Sequence, residues 1–114
     1  MTDCIFCKIV TGQIPAAVVY QDEQVTAFRD IHPVAPTHVL IVPNKHIAST
    51  NDAAPEDQAL LGHMLLTVQT VAEKEGIKES GYRLIINTGG DANQVVYHLH
   101  LHVIGGQRMR HPMG

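Results

Sequence analysis

Three histidines, His98, His100 and His102, alternate with apolar residues close to the end of this 114-residue chain. Successive side chains of a β-strand point to opposite faces, so the alternation predicts a strand with three imidazoles on one face and a core on the other. A neutral imidazole is a good nucleophile toward phosphorus, and a second imidazole beside it can donate a proton to a leaving group. A row of histidines in distinct environments could do both, so a catalytic row is one interpretation of this pattern.

Two other interpretations of the row are a metal site and a run of unrelated polar residues. At about 3.4 Å per residue the outer two histidines lie roughly 13 Å apart along the backbone, whereas zinc–nitrogen bonds are about 2 Å long. At most two of the three could therefore share one ion. The run of exposed polar residues stays open as the alternative to a catalytic row.

The two cysteines, Cys4 and Cys7, form a second group of residues that could take part in chemistry. They are too few and too close together for a disulfide framework, and they indicate a metal or redox role in a reducing compartment. Cys-x-x-Cys is half of a tetrahedral zinc site, whose other half must come from histidines because the chain has no further cysteine. A redox pair and two free thiols are the alternatives.

Size and charge limit the classes of protein that fit this sequence. The chain has 114 residues, a formal net charge of −3 and a pI near 6.2, so it lacks the basic surface that nucleic-acid binding needs. No stretch approaches the roughly 18 apolar residues of a membrane span. We expect one domain over residues 1–114, in the cytoplasm, with neither nucleic acid nor membrane as a partner.

The elements that must position these groups can be predicted from apolar spacing and from turn residues. The sequence predicts a short helix around residues 5–10, a long helix over 55–75, and strands near 17–20, 25–28, 38–43, 81–87 and 97–104. The long helix has a buried stripe that includes Leu60, Leu61, Met64, Leu65, Val68, Val71 and Ala72. This pattern gives an α+β domain with a five-stranded, mainly antiparallel sheet, one face of which is left free for a ligand.

The segment from His98 to Ile104 matches the His-φ-His-φ-His-φ-φ signature of the histidine triad (HIT) family. Further segments resemble the Hint-type nucleoside phosphoramidase branch of that family, so that the resemblance covers nearly the whole chain. They are residues 5–9, 27–31, 35–40, 44–46 and 61–64, together with Asn87 and Gln94.

The resemblance implies a HIT-like fold and a nucleotide hydrolase that cleaves the P–N bond of purine nucleoside 5′-phosphoramidates through a covalent nucleotidyl-histidine. His100 is then the nucleophile, and His102 contacts the phosphate and assists departure of the amine. The backbone at His98 orients His100 by accepting its other ring N–H, which sets the reactive tautomer.

The same resemblance implies how the nucleotide binds. Asn87 donates to a phosphate oxygen, as do backbone amides near Gln94 and Val95. Asp30 accepts from the ribose hydroxyls, because a carboxylate can accept from both of them. The purine slot is lined by Ile5, Phe6, Ile9, Phe28 and Ile31.

Zinc-binding members of the family imply the ligand set Cys4, Cys7, His46 and His98. Four protein ligands close the tetrahedron, so the implied zinc is structural and no catalytic metal is required. The family also implies a homodimer, which the apolar stripe of the long helix could serve.

Two features depart from the branch. Val95 stands where relatives often carry a serine that contacts the leaving group, and the tail after Gly106 lacks a tryptophan found in some relatives. Hydrolysis of dinucleoside polyphosphates, as in the sister branch of the family, is one alternative function. A catalytically weak nucleotide-binding or scaffold protein, which Val95 supports, is the other.

Overall fold

The computed structural model describes residues 3–113. Within them the α-helices are α1 (Ile5–Val10) and α2 (Gln58–Glu75), and the strands are β1 (Val18–Gln21), β2 (Val25–Arg29), β3 (Thr37–Pro43), β4 (Tyr82–Ile85) and β5 (Leu101–Gly105). Short 3-10 helices lie at Thr50–Asp52, Pro55–Asp57 and Gly90–Ala92. The predicted α+β class is confirmed. Neither helix has the length and hydropathy to span a membrane.

The strands form one five-stranded sheet in the order β1-β2-β3-β5-β4, and each neighbouring pair is antiparallel. β3 is buried along its whole length, as its continuous apolar run predicted. Leu40 of β3 pairs with His102 of β5, and His38 pairs with Ile104. Because these four residues alternate with Val39 and Val103, they share the sheet face opposite to the main core.

α2 covers the other face of the sheet. Its buried residues Met64, Val68, Val71 and Ala72 belong to one cluster with apolar residues of β2, β3 and β5. The helix ends at Gly76, whose φ of 72° is accessible to glycine without strain. The apolar stripe of α2, which was expected to be available to a dimer partner, is therefore largely buried against the sheet of the same chain.

Two details of α2 differ from the prediction. Leu65, expected in the buried stripe, is 55% exposed, because consecutive helical residues point about 100° apart and Leu65 lies at the edge of the stripe. Thr67 is buried instead, and its Oγ1 donates to the carbonyl oxygen of His63 at 2.7 Å. The helix begins at Gln58 rather than at residue 55, since Pro55–Asp57 form a 3-10 turn before it.

α1 lies on the face of the sheet that α2 leaves free. The buried ring of Phe6 contacts the ring of Phe28 edge to face, with centroids 5.3 Å apart, and packs with Leu40 and Val42. The helix ends before Gly12, as the sequence predicted. This small second core holds α1 beside the histidine row and leaves a cavity between them.

The predicted strand over 97–104 is wrong at its N-terminal end. β5 begins at Leu101, so of the three histidines only His102 lies in a strand. The ladder with β3 stops at Ile41 and Leu101, beyond which Pro43 has no N–H to donate. The carbonyl oxygen of Pro43 instead accepts from the His98 side chain at 2.8 Å.

A hydrogen-bond network around Asp22 ties the β1–β2 hairpin to α2. Its Oδ2 accepts from the Tyr20 hydroxyl and from His63 Nε2, each at 2.7 Å, and its Oδ1 accepts from the backbone of Gln24 and Val25. Burial by itself would raise the pKa of Asp22, but these hydrogen bonds outweigh it and hold the pKa well below the usual value of a carboxyl. The carboxylate therefore stabilises the folded chain.

Replacing Asp22 with Asn should lower the free energy of unfolding at neutral pH by about 1–3 kcal/mol, because the charged acceptor of four hydrogen bonds is lost. A carboxyl whose pKa falls on folding contributes stability above its unfolded pKa and loses it as the pH falls toward its folded pKa. Urea unfolding at neutral pH and below about pH 4 should thus show a difference that shrinks in acid. The exposed neighbour Glu23→Gln is the control, and an equal loss at both pH values would contradict the assignment.

Candidate active site

A cavity of about 430 Å³ lies between α1, the end of β2, the loop after β4 and the histidine row. Ten of the residues predicted to act on or bind a nucleotide line it: Ile5, Phe6, Ile9, Phe28, Asp30, Ile31, Asn87, Val95, His100 and His102. Residues that the sequence reasoning missed also line it: Ile14, Pro15, Ala16, Arg29, His32, Leu40, Asn93 and Val96. The fold therefore brings histidines and other polar side chains next to an apolar slot.

His100 is buried between two other rings. Its ring centroid lies 5.1 Å from that of Phe6 and 5.0 Å from that of His102. His100 Nδ1 lies 2.7 Å from the carbonyl oxygen of His98, and a carbonyl can only accept. Nδ1 therefore carries the proton of the neutral ring, and Nε2 keeps the lone pair that a nucleophile needs.

His102 is the second imidazole at the cavity. Burial, followed by the charges of His100 and His38, lowers the pKa of His102 to about 4, although Asp30 opposes the shift. The ring is therefore neutral near pH 7. Its Nδ1 lies 2.9 Å from His38 Nε2, while its own Nε2 is buried with no hydrogen-bond partner among residues 3–113.

His38 is a site residue that the sequence reasoning did not single out. It follows Thr37 at the start of the apolar run of β3, and its pKa is lowered by burial against the attraction of Asp30. It meets His102 because the antiparallel register makes them diagonal neighbours on one face. The one available signal was a histidine at the head of a strand that is otherwise apolar.

Asp30 follows directly after β2 and borders the cavity. Its Oδ1 accepts from the backbone N–H of His32 at 2.8 Å, and its Oδ2 lies 3.5 Å from His38 Nε2. Oδ1 is therefore occupied by the hydrogen bond of the local turn. Oδ2 still has lone pairs that can accept from hydroxyl groups in the cavity.

Gln94 is a predicted nucleotide-binding residue that does not line the cavity. Its side chain is buried and accepts from Gly89 N at 2.9 Å while donating to the carbonyl oxygens of Ala48 and Val96. Its backbone N–H also donates to Gly89 O. Gln94 therefore holds the loop in shape, and the neighbouring Val95, 85% exposed, lines the cavity.

The four predicted metal ligands, Cys4, Cys7, His46 and His98, lie together beside the cavity, with all ligand atoms within 4.8 Å of one another. His98 Nδ1 lies 3.3 Å from Cys4 Sγ and 3.2 Å from His46 Nδ1, and Cys7 Sγ lies 3.3 Å from His46 Nδ1. Ligands of a tetrahedral zinc ion lie roughly 3.3 to 3.8 Å apart.

The position of the proton on the His98 ring also suits metal binding. Its Nε2 donates to the carbonyl oxygen of Pro43, which places the proton there and leaves the Nδ1 lone pair facing the two sulfur atoms. The donor set and its spacing therefore suit zinc.

Comparisons with known proteins agree with this geometry. A family model described as the HIT domain matches residues 11–109. The purine nucleoside phosphoramidase of Escherichia coli K12 is 51% identical over 105 residues, which is 92% of this chain and 88% of that protein. A HIT-like protein of Synechococcus elongatus is 51% identical over 112 residues, 98% of this chain and 97% of its own length.

Solved structures give the same result. The crystal structure of a HIT family hydrolase from Legionella pneumophila has a TM-score of 0.94 and 50% identity, and covers 98% of this chain and 100% of its own. A histidine triad protein from Clostridium difficile has a TM-score of 0.95 and 40% identity, with 99% and 98% coverage.

Proposed function

The chain belongs to the HIT family, and we propose that it is a hydrolase of that family that cleaves the P–N bond of purine nucleoside 5′-phosphoramidates. The observation that carries the proposal is the 2.7 Å contact between His98 O and His100 Nδ1, which leaves the His100 Nε2 lone pair available beside a nucleotide-sized cavity. The name of the 51% identical E. coli protein supports the substrate class.

In the first step His100 Nε2 attacks phosphorus, the N–P bond to the enzyme forms and the P–N bond of the substrate breaks. The leaving nitrogen takes the bonding electron pair and one proton from solvent, relayed by His102, and departs as an amine. In the second step water attacks phosphorus, the bond between phosphorus and His100 Nε2 breaks with its electron pair returning to that nitrogen, and the water gives up one proton to solvent as the nucleoside monophosphate is released. His100 is then neutral again.

The cavity lining supports a nucleotide as the substrate. The apolar side chains of α1, together with Phe28 and Ile31, suit the flat faces of a purine. Asp30 can accept hydrogen bonds from the ribose hydroxyls, and Asn87 can donate a hydrogen bond to a phosphate oxygen. A backbone amide near Val95 completes the phosphate contacts, while Gln94 supports them through its hydrogen bonds to the loop.

Dinucleoside polyphosphate hydrolysis is the first alternative function, suggested by the sister branch of the family. The second alternative, a catalytically weak nucleotide-binding or scaffold protein, is favoured by Val95, which lines the cavity but has no hydroxyl group for a leaving group. Faster turnover of a dinucleoside polyphosphate than of a phosphoramidate would favour the first alternative. Tight binding of adenosine monophosphate without any nucleotidyl-enzyme would favour the second, a catalytically weak binding protein.

Replacing His100 with Ala should reduce hydrolysis of adenosine 5′-phosphoramidate by about 1,000-fold or more, because the covalent step loses its nucleophile. Rapid-quench mass spectrometry should detect a nucleotidyl adduct on the wild-type chain and none on the variant. Binding of adenosine monophosphate should change only a few-fold, which serves as the folding control. Undiminished turnover in the variant would refute the mechanism.

We also propose that Cys4, Cys7, His46 and His98 hold a structural zinc ion. Its coordination would tie the start of α1 to the segment after β3 and to the histidine row. All four positions of the tetrahedron are then protein ligands, so the hydrolysis requires no metal. Reduced cysteines in this arrangement also fit a cytoplasmic location.

Protein purified without added metal should contain about one zinc ion per chain by elemental analysis. Cys7→Ser should lose the zinc and lower the melting temperature, because binding free energy contributes to folding free energy. His111→Asn changes an exposed histidine outside the cluster and should retain it. A wild-type stoichiometry near zero would rule out the site.

We further propose a homodimer. Leu65 and Leu66 of α2 and Leu84 of the edge strand β4 are exposed apolar residues that a second copy would cover. Sedimentation equilibrium should give twice the 12.5 kDa chain mass, and Leu66→Glu should shift the protein toward monomer. Gln13→Glu adds the same charge in the loop after α1, away from α2 and β4, and is the control; a wild-type monomer at micromolar concentration would contradict the proposal.

A further inference from the structure

The cavity has a closed apolar end and an open rim. Phe6 and Phe28 line it as buried side chains, whereas Val95 is 85% exposed and Asn93 is also exposed. Asn93 and Val95 belong to the loop that runs directly into the histidine row. When a purine occupies the apolar end and phosphorus lies beside His100, the amine side of the substrate extends toward solvent. This rim is therefore the part of the protein that a leaving amine meets.

Asn93 has a backbone conformation that glycine adopts more easily. Its φ of 61° and ψ of 37° lie in the left-handed region, and among residues 3–113 it is the only non-glycine residue with a positive φ. Glycine enters this region without strain, and asparagine is tolerated there better than most other side chains. Glycine would suit this turn at least as well, so the turn by itself does not account for a side chain at this position.

The position of Asn93 is fixed by backbone hydrogen bonds and by its neighbour Gln94. The backbone N–H of Asn93 donates to Gly90 O at 3.0 Å, and that of Gln94 donates to Gly89 O at 3.0 Å. The buried side chain of Gln94 makes hydrogen bonds with three further backbone groups. The loop therefore holds Asn93 at the cavity without any hydrogen bond from the Asn93 side chain.

The side-chain amide of Asn93 is the donor that remains for a ligand. Its backbone N–H is used within the loop, and its side chain makes no hydrogen bond with any residue in the range 3–113. An amide NH₂ group offers two donor hydrogens. Val95, the other exposed residue of this loop at the cavity, offers an apolar side chain. The rim thus presents one amide group and one apolar surface.

We propose that Asn93 is a specificity-determining residue whose side-chain amide donates a hydrogen bond to a carbonyl oxygen on the leaving amine. The inference rests on the proposed function and deepens it, because it names the class of amine. The favoured leaving groups are amides of α-amino acids, in which the amine nitrogen, one apolar carbon and a carbonyl group follow one another. Val95 then contacts the apolar carbon, and Asn93 the carbonyl oxygen.

The charge of the loop favours a neutral acceptor on the leaving amine. Asp91 is the only charged residue in the sequence from 88 to 97, and it is exposed two positions before Asn93. A carboxylate at the rim disfavours a second negative charge near it. The carbonyl group of an amide therefore fits this rim better than the carboxylate of a free amino acid.

Three adenosine 5′-phosphoramidates test the proposal, with ammonia, propylamine or glycinamide as the leaving amine. Propylamine and glycinamide are similar in size, but only glycinamide has a carbonyl group. Asn93→Gly removes the side-chain amide and keeps the backbone conformation. It should lower kcat/KM for the glycinamide substrate about fivefold more than for the propylamine substrate, because one neutral hydrogen bond to the leaving group is lost. Each substrate is compared between variant and wild type, so the different reactivities of the amines cancel.

Two further variants serve as controls. Asn93→Asp keeps the size of the side chain but replaces its donor with an acceptor, and should show at least the same selective loss. Asp91→Asn changes an exposed residue of the same loop that does not line the cavity, and should keep the wild-type preference between the two amines. The melting temperature of Asn93→Gly should stay within about 2 °C of wild type, because glycine adopts this conformation freely.

An equal loss with all three substrates would overturn the proposal, since it would place the Asn93 amide on the phosphate rather than on the leaving amine. Unchanged selectivity in Asn93→Gly, or a loss that accompanies a lower melting temperature, would overturn it as well. In these cases the wild-type chain still hydrolyses phosphoramidates, so the proposed function stands. A wild-type chain that turns over none of the three substrates would refute the proposed function and this inference with it.

Discussion

The carbonyl oxygen of His98 is the group on which the site depends. It accepts from His100 Nδ1 at 2.7 Å and so leaves the His100 lone pair on the cavity side. The side chain of the same residue lies with Cys4, Cys7 and His46, and its Nε2 donates to Pro43. One residue thereby joins the ligand cluster to the orientation of the nucleophile, and displacement of either would disturb the other.

The two faces of the sheet have separate cores. α2 and the main cluster cover one face, and the small cluster around Phe6 and Phe28 covers only part of the other. The uncovered part becomes the cavity, bordered by α1 on one side and the histidine row on the other. A flat apolar slot and polar catalytic groups therefore lie side by side.

Several features were predictable because they depend on local periodicity. The helices, the five strands and the buried run of β3 follow from apolar spacing and turn residues. The N-terminal end of β5 was mispredicted because a tertiary contact overrides that pattern: the strand begins only at Leu101, since Pro43 cannot extend the ladder. The inward position of the Gln94 side chain, held by three backbone partners, also depends on contacts that the pattern does not contain.

The sequence by itself determined the kinds of groups present: a row of alternating histidines, a Cys-x-x-Cys pair, and the family to which their context belongs. Only the tertiary structure decided which ring nitrogen of each imidazole carries the proton. His38 and His102 are 64 positions apart, and it is the antiparallel register of β3 and β5 that brings their nitrogens within 2.9 Å. Tautomers depend on the donors and acceptors surrounding a ring, and those neighbours come from distant parts of the chain.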